Sequence, residues 1–191
     1  MHKLILSNFA MHIALSSEEQ ERVLALLQQK KVSKRSFLLQ AGGIDRHIYF
    51  VNRGCLRMFY TDNEGMEHNI NFYPENWWAC DIVSFFKEQP AANTIQALED
   101  SEVYYMSLSQ LEQLFLEIPK FERFFRILTQ NGFDLYQKRI TSNLSQTAEQ
   151  RYLEFRELYP GLETRIAQKH IATYLGITPA FLSMMRKEKQ L

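Results

Sequence analysis

The sequence has no excess charge of either sign: 22 Lys and Arg residues balance 22 Asp and Glu residues. A chain-wide basic field is therefore excluded, and any nucleic-acid contact must come from a local patch. Cysteine is scarce. Cys55 and Cys80 are too few for a zinc site or a four-cysteine iron–sulfur site, and a reduced, cytoplasmic setting is expected. No apolar run approaches the roughly 18–20 residues of a membrane span, so no membrane partner is expected. The semi-apolar stretch Leu4–Leu15 is interrupted by Ser7, Asn8 and His12 and has no small-residue cleavage site, so it does not read as a signal peptide. There is no Gly-rich phosphate loop and no nucleophile elbow. A cupin-type metal centre needs several histidines and a carboxylate converging on one ion. His47 and His68 have no second histidine within a few positions, so no metal, no catalytic residues and no enzymatic activity are expected. What the chain does have is an ordinary globular composition, 46% hydrophobic and 23% charged, which predicts a packed core.

Ser17 to Gln29 reads as a helix capped by Ser16 or Ser17, with Val23, Leu24, Leu26 and Leu27 on its apolar face. From Ser36 to Leu108 short apolar runs alternate with turn signals such as Asn52-Arg53-Gly54 and Asp62-Asn63-Glu64-Gly65. His47–Val51, Cys55–Tyr60, His68–Phe72 and Val103–Ser107 are strand-like. Short strands at this spacing predict a β-barrel or jelly roll. Ser109–Leu116 is a short helix. A long one follows from Pro119 or Lys120 to Asn143, on which Phe121, Phe125, Leu128 and Leu135 form a heptad-like seam, broken where Gly132 and Arg139 fall. Such a seam packs either on the β-domain or on a two-fold partner. Gln146–Tyr159 is a further helix, stopped by Pro160-Gly161.

The segment from Gln168 to Arg186, QKHIATYLGITPAFLSMMR, has the pattern of a helix-turn-helix. Ala172 is small where two helices touch, and Gly176 suits a left-handed turn. Ile171, Leu175, Ile177, Leu182 and Met185 take the buried positions. Thr178 caps the second helix and Pro179 fits its first turn. An ordinary helical hairpin predicts no charge bias, but from Arg165 onward five basic residues face one acidic residue. That local excess suits phosphates. The second helix, from Pro179, is expected to enter the major groove with Thr178, Ala180, Phe181, Ser183, Met184 and Lys187 as the candidates nearest the bases, and with Lys169, His170, Arg186 and Lys187 placed for phosphates.

A β-roll, a long helix and a C-terminal helix-turn-helix in this order resemble the Crp/Fnr family of transcription regulators. The segment Ile171–Lys187 is similar to that family's DNA-binding signature, and Gly54–Tyr60, Glu67, Asp81 and Arg151-Tyr152-Leu153 add to the resemblance. The resemblance implies an α+β chain: an N-terminal jelly-roll-like sensor β-roll over 1–118, a long dimerisation helix over 119–143 and a winged-helix-type helix-turn-helix domain over 144–191. It implies a homodimer on double-stranded DNA, with RNA polymerase and a small-molecule effector as further partners. The effector pocket would be lined by Arg57, Asp81, Ser84, Ala91 and Asn93.

Two departures from the family pattern bear on function. Cyclic-nucleotide-binding members carry a glycine-glutamate pair and, about ten residues on, an arginine that pairs with the cyclic phosphate. Here Cys80-Asp81 and Ala91 stand in those places, so a buried phosphate would lose its bidentate partner. No cofactor is assigned and a response to cyclic AMP is not expected. Trp77, Trp78, Phe85 and Phe86 nearby are expected to fill the pocket. In the reading helix, Ala180 and Met184 replace the family's glutamate and arginine, and they offer only apolar contacts, for example to a thymine methyl. The alternative is that the domain has become a protein-interaction module.

Overall fold

The computed structural model describes residues 2–189, with side chains through Glu188. Its elements in order are α1 (Lys3–Ala10), α2 (Ser17–Leu26), β1 (Gln28–Val32), β2 (Phe37–Leu39), β3 (His47–Arg53), β4 (Leu56–Thr61), β5 (Glu67–Tyr73), β6 (Trp78–Ala79), α3 (Ile82–Lys87), β7 (Thr94–Ala97), β8 (Ser101–Ser107), α4 (Leu108–Glu117), α5 (Lys120–Ser145), α6 (Ala148–Leu158), α7 (Leu162–Arg165), α8 (Gln168–Leu175) and α9 (Pro179–Lys189). The chain divides into two compact units. One holds the residues up to Met58 together with Phe72–Gly132; the other holds Phe59–Asn71 and the residues from Phe133 onward.

Most strands of the β-roll lie in the first unit. Two four-stranded sheets run in the orders β1-β8-β3-β6 and β2-β7-β4-β5. β8 pairs antiparallel with both β1 and β3, placing Tyr104 opposite Gln29 on one side and Phe50 on the other. This pairing shortens the expected first helix. Leu27 turns to extended backbone, and Gln28 and Gln29 join a strand whose partners lie far away in sequence. The helix start is as read: Ser16 accepts from the Glu19 N–H while the Glu19 carboxylate accepts from the Ser16 N–H, a reciprocal cap. The β3–β4 turn depends on Gly54, at φ +93°. A Cβ there would lie 2.8 Å from the Ser101 Cα, so no other residue fits without moving backbone.

The semi-apolar N-terminal stretch forms α1, whose Ile5 and Phe9 are fully buried. Phe9 meets Phe121 and Phe124 edge-on, with ring centroids 5.0 and 5.1 Å apart. Trp78 completes the cluster, and its indole N–H donates to the Asn8 side chain at 2.9 Å. The start of α5 is therefore core, which corrects the seam read from the sequence. Phe121 and Phe125 are buried and Leu128 packs against them, so these side chains are occupied within their own chain. The exposed apolar side chains of α5 come later: Phe133 (64%), Ile140 (62%) and Leu144 (84%), with Tyr136 beside them.

The second unit is helical apart from residues 59–61 of β4 and 67–71 of β5. Among the described residues after Ser145 all regular structure is helical, so the strands of a wing are absent there. Phe155, Tyr159 and Tyr174 form an aromatic cluster between α6 and α8. Leu135, the fourth residue of the expected seam, is half-buried and lines a cleft of this unit with Phe155 and Leu175.

Candidate functional site

The helix-turn-helix forms over the residues that predict it. α8 ends at Gly176, which is left-handed at φ 68°, and the Ile177 N–H returns to the Ala172 carbonyl at 3.0 Å. This closes the turn and satisfies an end-of-helix carbonyl. Thr178 opens α9: its hydroxyl accepts from the Phe181 N–H at 3.1 Å. Ile171, Ala172, Leu175, Leu182 and Met185 are buried, whereas Ile177 is only half-buried. With these residues inside, the helical period turns Pro179, Ala180, Ser183, Met184 and Lys187 outward together, and all five are exposed. Lys169 is exposed on α8. His170 is half-buried, and its carbonyl accepts from the Asn69 side chain at 3.0 Å. Arg186 is also half-buried, with its guanidinium 5.8 Å from the centre of the Tyr152 ring. It is therefore anchored on its own unit, unlike the exposed Lys187.

Three further residues hold α8 in place, and the sequence reading did not assign them this role. Arg139 donates to the carbonyls of Asn69 (2.7 Å) and Tyr174 (2.9 Å), and its guanidinium lies 3.9 Å from the Tyr174 ring centre. Arg151 donates to the carbonyls of Leu175 (3.0 Å) and Gln146 (2.7 Å). Asn69 reaches Thr173 as well as His170. Two guanidinium groups at the carbonyl end of α8 favour its dipole and fix the last turn before α9. The visible signal for Arg139 was its misfit in the seam.

In the first unit, Asp81, Ser84 and Asn93 are brought together. Asp81 caps α3 by accepting from the Ser84 N–H at 3.1 Å, and its other oxygen accepts from the Asn93 amide at 2.9 Å. A fourth member, Asp45, was missed. Its carboxylate accepts from the Asp81 N–H at 2.8 Å, and its own N–H donates to the Ser84 hydroxyl at 2.8 Å. Asp45 is 2% exposed. Burial pushes its carboxyl up to about 7, and the neighbouring Asp81 charge adds to the rise. Ala91 is buried with its backbone paired to Gly42 and Gly43. Arg57 is buried and bidentate on the Gln96 side-chain oxygen, at 3.0 and 2.6 Å. Of the aromatic residues expected to fill this region, Trp78 and Phe85 are core, Trp77 is half-buried and Phe86 is 45% exposed. Phe86 meets the buried Phe85 edge-on at 5.0 Å and leaves the rest of its ring to solvent.

The isolated histidines also have other partners. His47 packs edge-on against Tyr105 at 5.0 Å, and His68 pairs with Asp62 at 2.7 Å. Among the described residues, no three His, Cys, Asp or Glu residues are grouped to hold a metal ion, and no helix is long and apolar enough to cross a membrane.

Residues 29–117 match the family model of the cyclic nucleotide-binding domain. The whole architecture matches solved regulators. FixK2 from Bradyrhizobium japonicum aligns at TM-score 0.74 and 15% identity, over 85% of this chain and 83% of its own. The chain has the Crp/Fnr fold, built on a cyclic nucleotide-binding domain. A CooA variant from Carboxydothermus hydrogenoformans aligns at TM-score 0.71 and 20% identity, over 88% and 78% of the two chains. A regulator assigned to the Crp/Fnr family from Eubacterium rectale aligns at 0.71 and 16%, over 92% and 84%. No curated protein sequence matches at the same stringency. Within the Crp/Fnr fold, α8 and α9 are the helix-turn-helix and the Asp45–Asp81 cluster belongs to the cyclic nucleotide-binding domain.

Proposed function

We propose that this chain is a cytoplasmic, homodimeric transcription regulator that binds double-stranded DNA sequence-specifically through α9. The observation that carries the reading is the outward face of α9: Pro179, Ala180, Ser183, Met184 and Lys187 share one exposed stripe. Exposed Lys169 stands on the neighbouring helix. Residues 1–118 serve as sensor, 119–143 as dimerisation helix and 144–191 as DNA-binding domain. The solved relatives support this reading through their fold.

The dimer contact falls on the exposed stripe Phe133, Tyr136, Ile140 and Leu144. These residues lie three and four apart, the spacing of a helix–helix seam. Two copies then present their reading helices to half-sites about one DNA turn apart, roughly 34–36 Å. Effector binding or contact with RNA polymerase acts by favouring one arrangement of the two reading heads. Cyclic AMP is not the effector. Asp81 and Asn93 are bonded to each other, and Ala91 gives a phosphate no charged partner. We propose no catalytic activity.

Binding to a labelled duplex as a function of salt tests the reading. Affinity should fall steeply, and Lys169→Ala/Lys187→Ala should flatten the slope by about one per lost phosphate contact. Absence of binding at low salt overturns it. The exposed Phe181 and Met184 favour a second reading, a protein-interaction module. Contacts of that kind would not show the salt slope.

A further inference from the structure

We propose that the reading face selects thymine through its C5-methyl group, with Ala180 and Met184 as the specificity-determining contacts; this rests on the DNA-binding reading above. The first two turns of α9 present the Pro179 ring, the Ala180 methyl, the Ser183 hydroxyl and the Met184 thioether on one exposed face. Met184 is 47% exposed, and Phe181, 43% exposed, widens the apolar surface on the same turns. Asn, Gln, Arg and Glu, the side chains that read base edges through paired hydrogen bonds, are missing between Pro179 and Met184. The nearest arginine, Arg186, is half-buried against Tyr152.

The major-groove edges of adenine, guanine and cytosine are lined with hydrogen-bonding nitrogen and oxygen atoms. Covering such an atom with a methyl or thioether takes it from water without replacing its hydrogen bond. Thymine alone offers an apolar group there, so Ala180 and Met184 fit it without that loss. The two residues are four apart, about 6 Å along the helix. Successive bases on one strand rise about 3.4 Å. The two methyl groups therefore belong to thymines one or two steps apart in each half-site. Ser183 lies between the two contacts, and its hydroxyl serves as donor or acceptor. Lys187, one turn further, supplies charge for the adjacent phosphate.

The test uses the full chain and a duplex selected from a random library. Each thymine is replaced singly by deoxyuridine, which lacks only the methyl group, and affinity is read by fluorescence anisotropy. Affinity should fall about fourfold at each of two positions per half-site, the factor corresponding to one buried apolar carbon, and should not change elsewhere. Met184→Ala, at an exposed position, should make one of those two positions indifferent to the methyl group. A selected site that tolerates deoxyuridine everywhere, or that places guanine or cytosine under both contacts, overturns the inference while leaving DNA binding intact. Failure to bind any duplex at low salt removes the DNA-binding reading and the inference with it.

Discussion

The two candidate regions treat their polar groups in opposite ways. In the first unit, Asp45, Asp81, Ser84 and Asn93 are turned inward and bonded to one another. In the second unit, the polar anchors lie behind α9 and its outward face is left to solvent. Arg139 and Arg151 bind the end of α8 and Asn69 its middle, while Ser183 and Lys187 project from α9. A site that bonds to itself resists a new ligand, because a ligand must replace hydrogen bonds already made. A rigidly supported face with nothing on it is ready for one. The contrast fits the proposed division of labour, a DNA-binding head on a domain that does not answer to cyclic AMP.

Glycine substitutions sharpen the contrast most strongly. At Gly54 an added Cβ collides with the Ser101 backbone and also meets a positive φ. Gly54→Ala should cost the sensor unit about 3 kcal/mol or more in a denaturant titration. At Gly176 the same change meets open space, so only the left-handed backbone opposes it. Gly176→Ala should cost about 1 kcal/mol. Equal losses at the two positions would break the comparison.

The acidic cluster gives the next effect. Asp45 sits near 7 in the folded chain because burial disfavours its charge, well above its ordinary value of 3.8. A raised carboxyl contributes stability that is complete below about pH 4 and is lost as pH climbs through about 7. The first unit should therefore lose of the order of 4 kcal/mol over that window. Asp45→Asn should flatten the profile, as read by thermal melts from pH 4 to 8. A wild-type profile flat over this range contradicts a carboxyl raised by burial.

The smallest change in energy carries the most information about recognition. Met184→Arg places a bidentate donor on the reading face and should shift one position of the preferred site toward guanine, with a discrimination of about 1–2 kcal/mol. An unchanged site after this substitution would mean that Met184 does not face the bases.

Much of this was legible in the sequence where the cause is local. The strands β3, β4, β5 and β8 are bounded by turn residues that announce themselves. The second helix of the helix-turn-helix is fixed by Thr178, Pro179 and its apolar period, all within one short segment. The hidden parts depend on distant partners. Gln28 and Gln29 look helical until β8 pairs with them from more than 70 positions away. Asp45 looks like a turn residue, since its partner N–H at Asp81 is 36 positions on. Phe121 and Phe125 keep a heptad spacing whether they face a second chain or their own core, and only the position of α1 decides. Arg139 breaks the seam because it serves α8 rather than the stripe beside it.

Selection of duplexes from a random library, with and without cyclic AMP, tests the central claim most directly, with the Lys169→Ala/Lys187→Ala variant as control. The account predicts a near-palindromic site, recovered equally in both conditions and lost or much weakened in the variant. A site that emerges only with cyclic AMP would contradict the closed sensor, and absence of any site with no binding at low salt would contradict the reading head itself.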